Sequence, residues 1–175
     1  MNRLMKIALC AAAASAVAAP ALAQSSSTQS TSSSTRIIQP LTLAKNTDLA
    51  FGSVVKPSSS TNTVGVDAAS GARALSGGGD AALAPSSAGR ATYAVSGEGG
   101  QTFSISTPAT FDMLRQGGTD TITVNLAPSA TSGTINGSLG SAGTASFGVG
   151  GSFAVAPSTA SGAYTGSFDA TVAYN

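Results

Sequence analysis

Few side chains in this sequence could carry covalent chemistry. Histidine is absent, and the single cysteine, Cys10, lies in the first apolar segment. A Ser–His or Cys–His nucleophile is therefore excluded within this sequence, and a zinc or copper ion would have carboxylates alone as ligands, which suit neither metal. We expect a non-enzymatic protein that needs no metal and no other cofactor.

One pair of residues has a spacing that catalysis could use. Ser53 and Lys56 are three positions apart, and on a helix this spacing would let the lysine amine activate the serine hydroxyl. Val54 and Val55 fill the gap, and β-branched residues favour a strand. On a strand Ser53 and Lys56 point to opposite faces, so we expect no nucleophile here.

The acidic residues show no close pair that would indicate a glycosidase. All but the last lie near turn signals, where a carboxylate caps backbone N–H groups. They are Asp48, Asp67, Asp80, Glu98, Asp112, Asp120 and Asp169. The net charge is +1 and only 9% of the residues are charged, so no basic surface for nucleic acid or anionic lipid is predicted.

The N-terminal segment has the organisation of a secretory signal peptide. Two basic residues precede the apolar run from Ile7 to Ala19, and Ala21-Leu22-Ala23 supplies small residues at a cleavage site. We predict a signal peptide over residues 1–23 that is cleaved between Ala23 and Gln24. The protein would then be exported, to the periplasm, the cell surface or the medium. The run is shorter than the ~20 residues of a membrane-spanning helix, so the mature chain is expected to have no membrane span.

The remaining chain divides into a polar tail and a β-domain. Residues 24–35 are nearly all Ser, Thr and Gln, which predicts a flexible Ser/Thr-rich tail because no apolar side chain can join a core. Residues 36–175 contain short apolar runs between Gly, Pro and Asn turn signals, without a helical period. We predict a single all-β domain of about eight to ten strands, a two-layer antiparallel sandwich that is immunoglobulin-like or pilin-like.

The same pattern predicts the individual elements. The predicted strands are Ile37–Leu43 (an edge strand), Leu49–Val55, Thr63–Val66, Ala91–Ser96, Thr102–Ser106, Thr121–Leu126, Ala145–Val149, Ser152–Val155 and Tyr164–Tyr174. Gly97–Gly100 predicts a hairpin turn, Gly150-Gly151 a break between two strands, and Phe111–Arg115 one helical turn at most. The large aromatic side chains are interpreted as core anchors and not as a platform for stacking sugars.

The last segment has the clearest alternation near the end of the sequence. Phe168, Ala170, Val172 and Tyr174 occupy every second position, and Gly162 opens the segment. This spacing predicts a final strand on which all four apolar side chains face inward. An ordinary last strand of a sandwich would show the same pattern.

This segment resembles the C-terminal motif of chaperone–usher pilins. In that family a periplasmic chaperone grips the motif by adding a strand to it. The resemblance implies that Gly162, Phe168, Ala170, Val172 and Tyr174 belong to a partner strand. It also implies that a periplasmic chaperone and like subunits are the partners.

A second resemblance covers most of the mature chain. The chain is similar to domain of unknown function 4402, an uncharacterised secreted bacterial family that is pilin-like in pattern and has no established activity. The matching segments are Pro40–Leu43, Asp48–Gly52, Val149–Phe153, Gly162–Gly166 and Tyr174-Asn175. We therefore expect a secreted or cell-surface structural protein such as a fimbrial subunit. The alternative is a non-catalytic secreted binding module, an adhesin or a polysaccharide-binding domain.

Overall fold

The computed structural model describes residues 25–175. The predicted signal peptide over residues 1–23 and its cleavage between Ala23 and Gln24 lie outside the described residues. The chain divides between Thr35 and Arg36 into two units, which are described separately. Residues 25–35 have no regular secondary structure and are exposed throughout. All strands of the described residues lie in the unit Arg36–Asn175.

Thirteen strands form this unit. They are β1 (Thr42–Thr47), β2 (Val54–Val55), β3 (Asn62–Val66), β4 (Arg73–Gly77), β5 (Ala82–Leu83), β6 (Ala91–Glu98), β7 (Thr102–Ser106), β8 (Thr110–Arg115), β9 (Thr121–Pro128), β10 (Ser132–Thr134), β11 (Ala142–Val155), β12 (Tyr164–Thr165) and β13 (Thr171–Tyr174). Over residues 25–175 there is no helix, and hence none long and apolar enough to cross a membrane. The prediction of an all-β antiparallel sandwich is confirmed.

The larger layer is an antiparallel sheet in the order β1-β6-β11-β9-β8-β12. In addition, β3 pairs with β11, and β4 pairs with the other edge of β3. The long strand β11 pairs with β6 over its first half and with β3 over its second half. The predicted break at Gly150-Gly151 is therefore wrong, because both residues lie inside β11. At Gly150 a Cβ atom would collide with the carbonyl oxygen of Val66, so glycine here allows a close approach of two backbones.

The smaller layer is the sheet β10-β7-β13, and β2 pairs with β5 in a separate two-stranded ribbon. The predicted hairpin at Gly97–Gly100 is wrong, because β6 and β7 belong to different sheets. The turn carries the chain from one layer to the other, and Gly100 takes a φ of +74° at the corner. The Gly100 amide donates to the carbonyl oxygen of Ile135 at 2.8 Å, which ties the corner to β10.

Two further predictions are corrected. The predicted edge strand Ile37–Leu43 has the wrong bounds, because β1 begins only at Thr42. Phe111–Arg115 is not a helical turn but part of β8, which pairs with β9 from Thr110↔Asn125 to Leu114↔Thr121. A short apolar segment cannot be assigned from its own period, and here the neighbouring strand decides its conformation. β4 was not predicted, since its sequence has only two apolar residues, but it pairs with β3 along its whole length.

Two apolar clusters form the core, one between the two layers and one between the larger sheet and the β2–β5 ribbon. The first is centred on Tyr93, Val95, Phe103, Ile105, Ile135 and Phe147, and the second on Phe51, Val64, Val66, Val124, Phe153 and Val155. β11 contributes to both, since Phe147 and Val149 lie in the first and Phe153 and Val155 in the second. Aromatic pairs anchor each cluster: Tyr93 stacks on Phe147 and Phe51 meets Phe153 edge-on, both with ring centroids 5.0 Å apart.

Carboxylates at the surface hold turns, as the sequence predicts. The Asp80 carboxylate accepts hydrogen bonds from the hydroxyl and the amide of Ser58, each at 2.6 Å. These two donors lower the pKa of Asp80, with the hydroxyl as the larger cause. The hydroxyl of Ser70, with its amide, lowers the pKa of Asp67 in the same way. The charged carboxylates therefore fasten the loops on either side of β3.

Candidate functional site

The last strand is held in the smaller sheet by β7. In the β13–β7 pairing, Val172 lies opposite Ile105 and Tyr174 lies opposite Phe103. The alternating residues Phe168, Ala170, Val172 and Tyr174 are half-buried and pack against the first apolar cluster. Their inward orientation is the one that the spacing predicts.

Gly162 lies apart from these four residues. It precedes β12, which pairs with β8 at the far edge of the larger sheet, and it packs against the side chain of Arg115. The predicted strand Tyr164–Tyr174 is therefore two strands in two sheets, and the chain between them crosses the sandwich. Phe168 lies in this crossing segment, and its ring centroid is 5.2 Å from that of Phe111 on β8.

Tyr174 fastens the end of the chain to the larger sheet. Its hydroxyl donates to the carbonyl oxygen of Gln39 at 3.0 Å and accepts from the amide of Glu98 at 2.7 Å. Gly97 makes this approach possible, since a Cβ atom there would collide with the tyrosine hydroxyl. One phenol thus joins the last strand, the segment before β1 and the end of β6.

Glu98 caps backbone amides, as its place near a turn predicts, but its burial was not predicted. Its side chain is 3% exposed, and its carboxylate accepts the amide of Gln39 at 3.3 Å and the amide of Gly140. A buried carboxylate needs such hydrogen-bond donors because they offset the free-energy cost of its lost hydration. Its position between Gly97 and Gly99 was the available signal, since a charged residue in a glycine-rich turn often caps a backbone that approaches closely.

One edge of β13 is open. Asn175 donates to the carbonyl oxygen of Thr102 at 3.2 Å, which continues the ladder with β7. In an antiparallel ladder the backbone groups of successive residues point to opposite edges, so those of Val172 and Tyr174 point away from β7. No other strand of residues 25–175 pairs with β13 on that side.

The edge strands β1 and β13 differ in how they are protected. β1 follows Pro40, carries Lys45 and has a register shift between Lys45 and Thr47, and each of these features discourages a further strand. The sequence of β13 is Thr-Val-Ala-Tyr, with no charge, no proline and no shift in its pairing. Of these two edges, β13 has the fewer features that discourage a further strand.

A cavity of about 670 Å³ opens onto the second apolar cluster. Its lining includes the apolar side chains of Phe51, Met113, Ile122 and Phe153 together with several Ser and Thr residues. A smaller cavity of about 250 Å³ shares Leu49, Phe51, Met113 and Tyr164 with it, so the two adjoin. The larger volume falls within the range of about 300–1,000 Å³ that small-molecule sites occupy.

The Ser53–Lys56 pair has the environment of structural residues. Val54 and Val55 between them form β2, so the predicted strand Leu49–Val55 is limited to its last two residues. The Lys56 ammonium donates to the carbonyl oxygens of Pro157 at 3.1 Å and Thr159 at 3.5 Å, and the Ser53 amide donates to the Ser86 hydroxyl. Lys56 thus ties the loop after β11 to the end of β2.

The two layers and the two apolar clusters define an all-β antiparallel sandwich protein. Residues 41–174 match the family described as Domain of unknown function (DUF4402), and the chain belongs to that family. The match runs from just before β1 to the last residue of β13. No curated protein and no solved structure matches the chain.

Proposed function

We propose that this protein is an exported, non-catalytic structural subunit of the cell surface, of the fimbrial or pilin-like kind. The observation that carries the proposal is the open edge of β13. An extended segment of a partner could extend the smaller sheet there, with a periplasmic chaperone as the first partner and like subunits as later ones. Main-chain hydrogen bonds would supply affinity in such an assembly.

The shape of the edge supports this role. The inward side chains of β13 already occupy the first apolar cluster, so an added strand needs to satisfy backbone groups and does not need to complete the core. The outward residues Thr171 and Ala173 are exposed and uncharged, and they raise no electrostatic barrier to an incoming strand.

A lysine at the open edge tests the proposal. Ala173→Lys places a charge on the exposed face of β13 without touching the inward residues. We expect the high-mass assemblies recovered from the cell surface to fall about tenfold, the effect of ~1.4 kcal/mol lost from pairing, because lysine on an edge strand discourages addition. Sedimentation of surface extracts and electron micrographs would measure it.

The matched control is Thr134→Lys, which places the same charge on β10 at the opposite edge of the same sheet. It should leave assembly unchanged, and thermal unfolding should show that both variants fold. Assemblies that survive equally in both variants, or a wild-type protein that is monomeric at the cell surface, would overturn strand addition at β13.

The larger cavity favours a second candidate function, a secreted binding module for polysaccharide. Its walls combine apolar side chains with hydroxyls, and Tyr164 stands beside it with its hydroxyl bonded to the carbonyl oxygen of Ala160 at 2.8 Å. A sugar presents both apolar C–H faces and hydroxyl groups, and such a lining suits both.

Occluding this cavity separates the two candidates. Ser161 is exposed and lines the cavity, so Ser161→Trp should fill its mouth, whereas Thr131→Trp places the same ring on the exposed loop before β10, which does not line the cavity. If the protein binds glycans, Ser161→Trp should weaken binding to an oligosaccharide array by about tenfold or more, a loss of ~1.4 kcal/mol, and the control should not. A wild-type protein that binds no glycan on the array would exclude this candidate.

A further inference from the structure

The polar tail before the domain has an unusual density of hydroxyl groups. From Ser25 to Thr35 every residue except Gln29 is serine or threonine. We propose that this tail is a site of multiple O-glycosylation, in which sugar residues are attached to its serine and threonine hydroxyls. The proposal concerns the tail alone and is independent of how the domain assembles.

The tail presents these hydroxyls in a form that a transferase can reach. All residues from 25 to 35 are exposed and lie outside regular secondary structure. Hydroxyls in the domain are often engaged: Thr47 and Thr92 share a hydrogen bond of 2.7 Å, and Thr123 donates to Asp112 at 2.6 Å. An acceptor chain must lie extended in a transferase with its hydroxyl free, and the tail offers a continuous run of such positions.

Flexibility alone does not account for the composition. Linkers that need only to be flexible are rich in glycine as well as serine. The chain contains 21 glycines, yet none lies between Ser25 and Thr35. The tail also lacks charged and apolar residues, so hydroxyls are almost its only side-chain functional groups. Ser/Thr-rich segments that contain proline are typical of O-glycosylated stalks, and this tail shares their density of hydroxyl groups although it has no proline from Ser25 to Thr35.

The reaction conserves oxidation state and needs one co-reactant, a sugar phosphate donor carried on a nucleotide or a lipid. The bond from the anomeric carbon of the sugar to the donor phosphate breaks, and a bond from that carbon to Oγ of serine or Oγ1 of threonine forms. The hydroxyl proton passes to a base of the transferase, and the phosphate leaves with the bonding electrons. The added groups are bulky, hydrated and uncharged.

Sugar suits this tail better than phosphate does. Each phosphate would add a charge of about −1.5 to −2, and such groups act by pairing with arginine or lysine. There is no basic residue from position 25 to 35, and Arg36 is the first one after it. A series of phosphates would repel one another along the tail, whereas neutral sugars would stiffen it and shield it from proteases.

Mass spectrometry of the protein purified from its native host, from whole cells and from the medium, tests the proposal. We expect species heavier than the polypeptide by whole numbers of hexose or N-acetylhexosamine residues, with the added mass confined to the tail peptide and removed by alkaline elimination. Replacing all ten hydroxyl residues of the tail by glycine should abolish the added mass.

The control variant Thr171→Ala removes an exposed hydroxyl from the domain and should leave the added mass unchanged. A protein that has the mass of the bare polypeptide in both fractions would overturn the proposal. So would mass increments equal to phosphate, or sugar that remains after the tail hydroxyls are replaced.

Discussion

Tyr174→Ala should lower the free energy of unfolding by about 3 kcal/mol, since truncation of a packed aromatic typically costs ~3–5 kcal/mol and Tyr174 is half-buried. The substitution removes the aromatic ring from the first apolar cluster. It also removes the hydroxyl that bonds to the amide of Glu98 and to the carbonyl oxygen of Gln39. For a domain of this size the midpoint of thermal unfolding should fall by about 10 °C. Calorimetry or circular dichroism would measure both quantities.

Two further variants divide this effect. Tyr174→Phe keeps the ring and removes only the hydroxyl, so it should cost about 1–2 kcal/mol through the unpaired backbone groups. Thr171→Ala changes an exposed residue of the same strand and should alter stability by less than ~0.5 kcal/mol. If Tyr174→Ala and Thr171→Ala had equal effects, the inward face of β13 would be wrong.

The same variants connect stability with the proposed assembly. If β13 acts only within its own sandwich, Tyr174→Ala prepared at low temperature should be a less stable protein with the same partners as the wild type. If β13 is a strand that partners recognise, the variant should also lose co-purification with a chaperone or with like subunits. Ala173→Lys, which spares the core, should then lose the partners without losing stability.

Gly150→Ala should destabilise the domain by about 3 kcal/mol, at the upper end of the usual cost of overpacking a core. The residue lies on β11 where the turn after β3 folds over its outer face, and an added Cβ would lie 2.6 Å from the amide nitrogen of Ala68 and 2.9 Å from its Cα. These neighbours are backbone atoms, so relief requires β3 and β11 to separate. The strand that links the two apolar clusters would be distorted.

The matched control for this substitution is Gly78→Ala. Gly78 follows β4, and a Cβ atom there would meet nothing within 4 Å. Its replacement should change stability by less than ~0.5 kcal/mol, as surface substitutions usually do. Chemical unfolding of both variants would give the comparison. Equal stability of the two variants would mean that the turn after β3 does not lie against β11.

Several elements could be predicted from the residues alone because their side chains alternate with a period of two. β9 follows its prediction with Ile122, Val124 and Leu126 on the buried side, and the four residues at the chain end face inward in the same way. In these strands the period of two alone identifies the residues that face the core, whichever strands lie next to them.

Other elements could not be predicted because the deciding partner is remote in sequence. β8 has a burial alternation but is too short to be distinguished from a helical turn until β9 pairs with it. Gly150-Gly151 has the composition of a break, yet β6, β3 and β9 pair around it and keep β11 continuous. The hydrogen bonds of a ladder depend on both strands, so the sequence of one strand alone cannot predict whether and where it pairs.

The sequence by itself determined the class of the fold and the apolar face of the last strand, because short-range periodicity decides both. It also determined the polar tail and the scarcity of His and Cys side chains, because these are matters of composition. The tertiary structure alone decided that the last apolar run becomes two strands in two sheets, and that Gly162 lies apart from β13. It also decided that Glu98 is buried and that Tyr174 bonds to Gln39, 135 positions away. Contacts of this range depend on how the layers pack and leave no periodic signal in the chain.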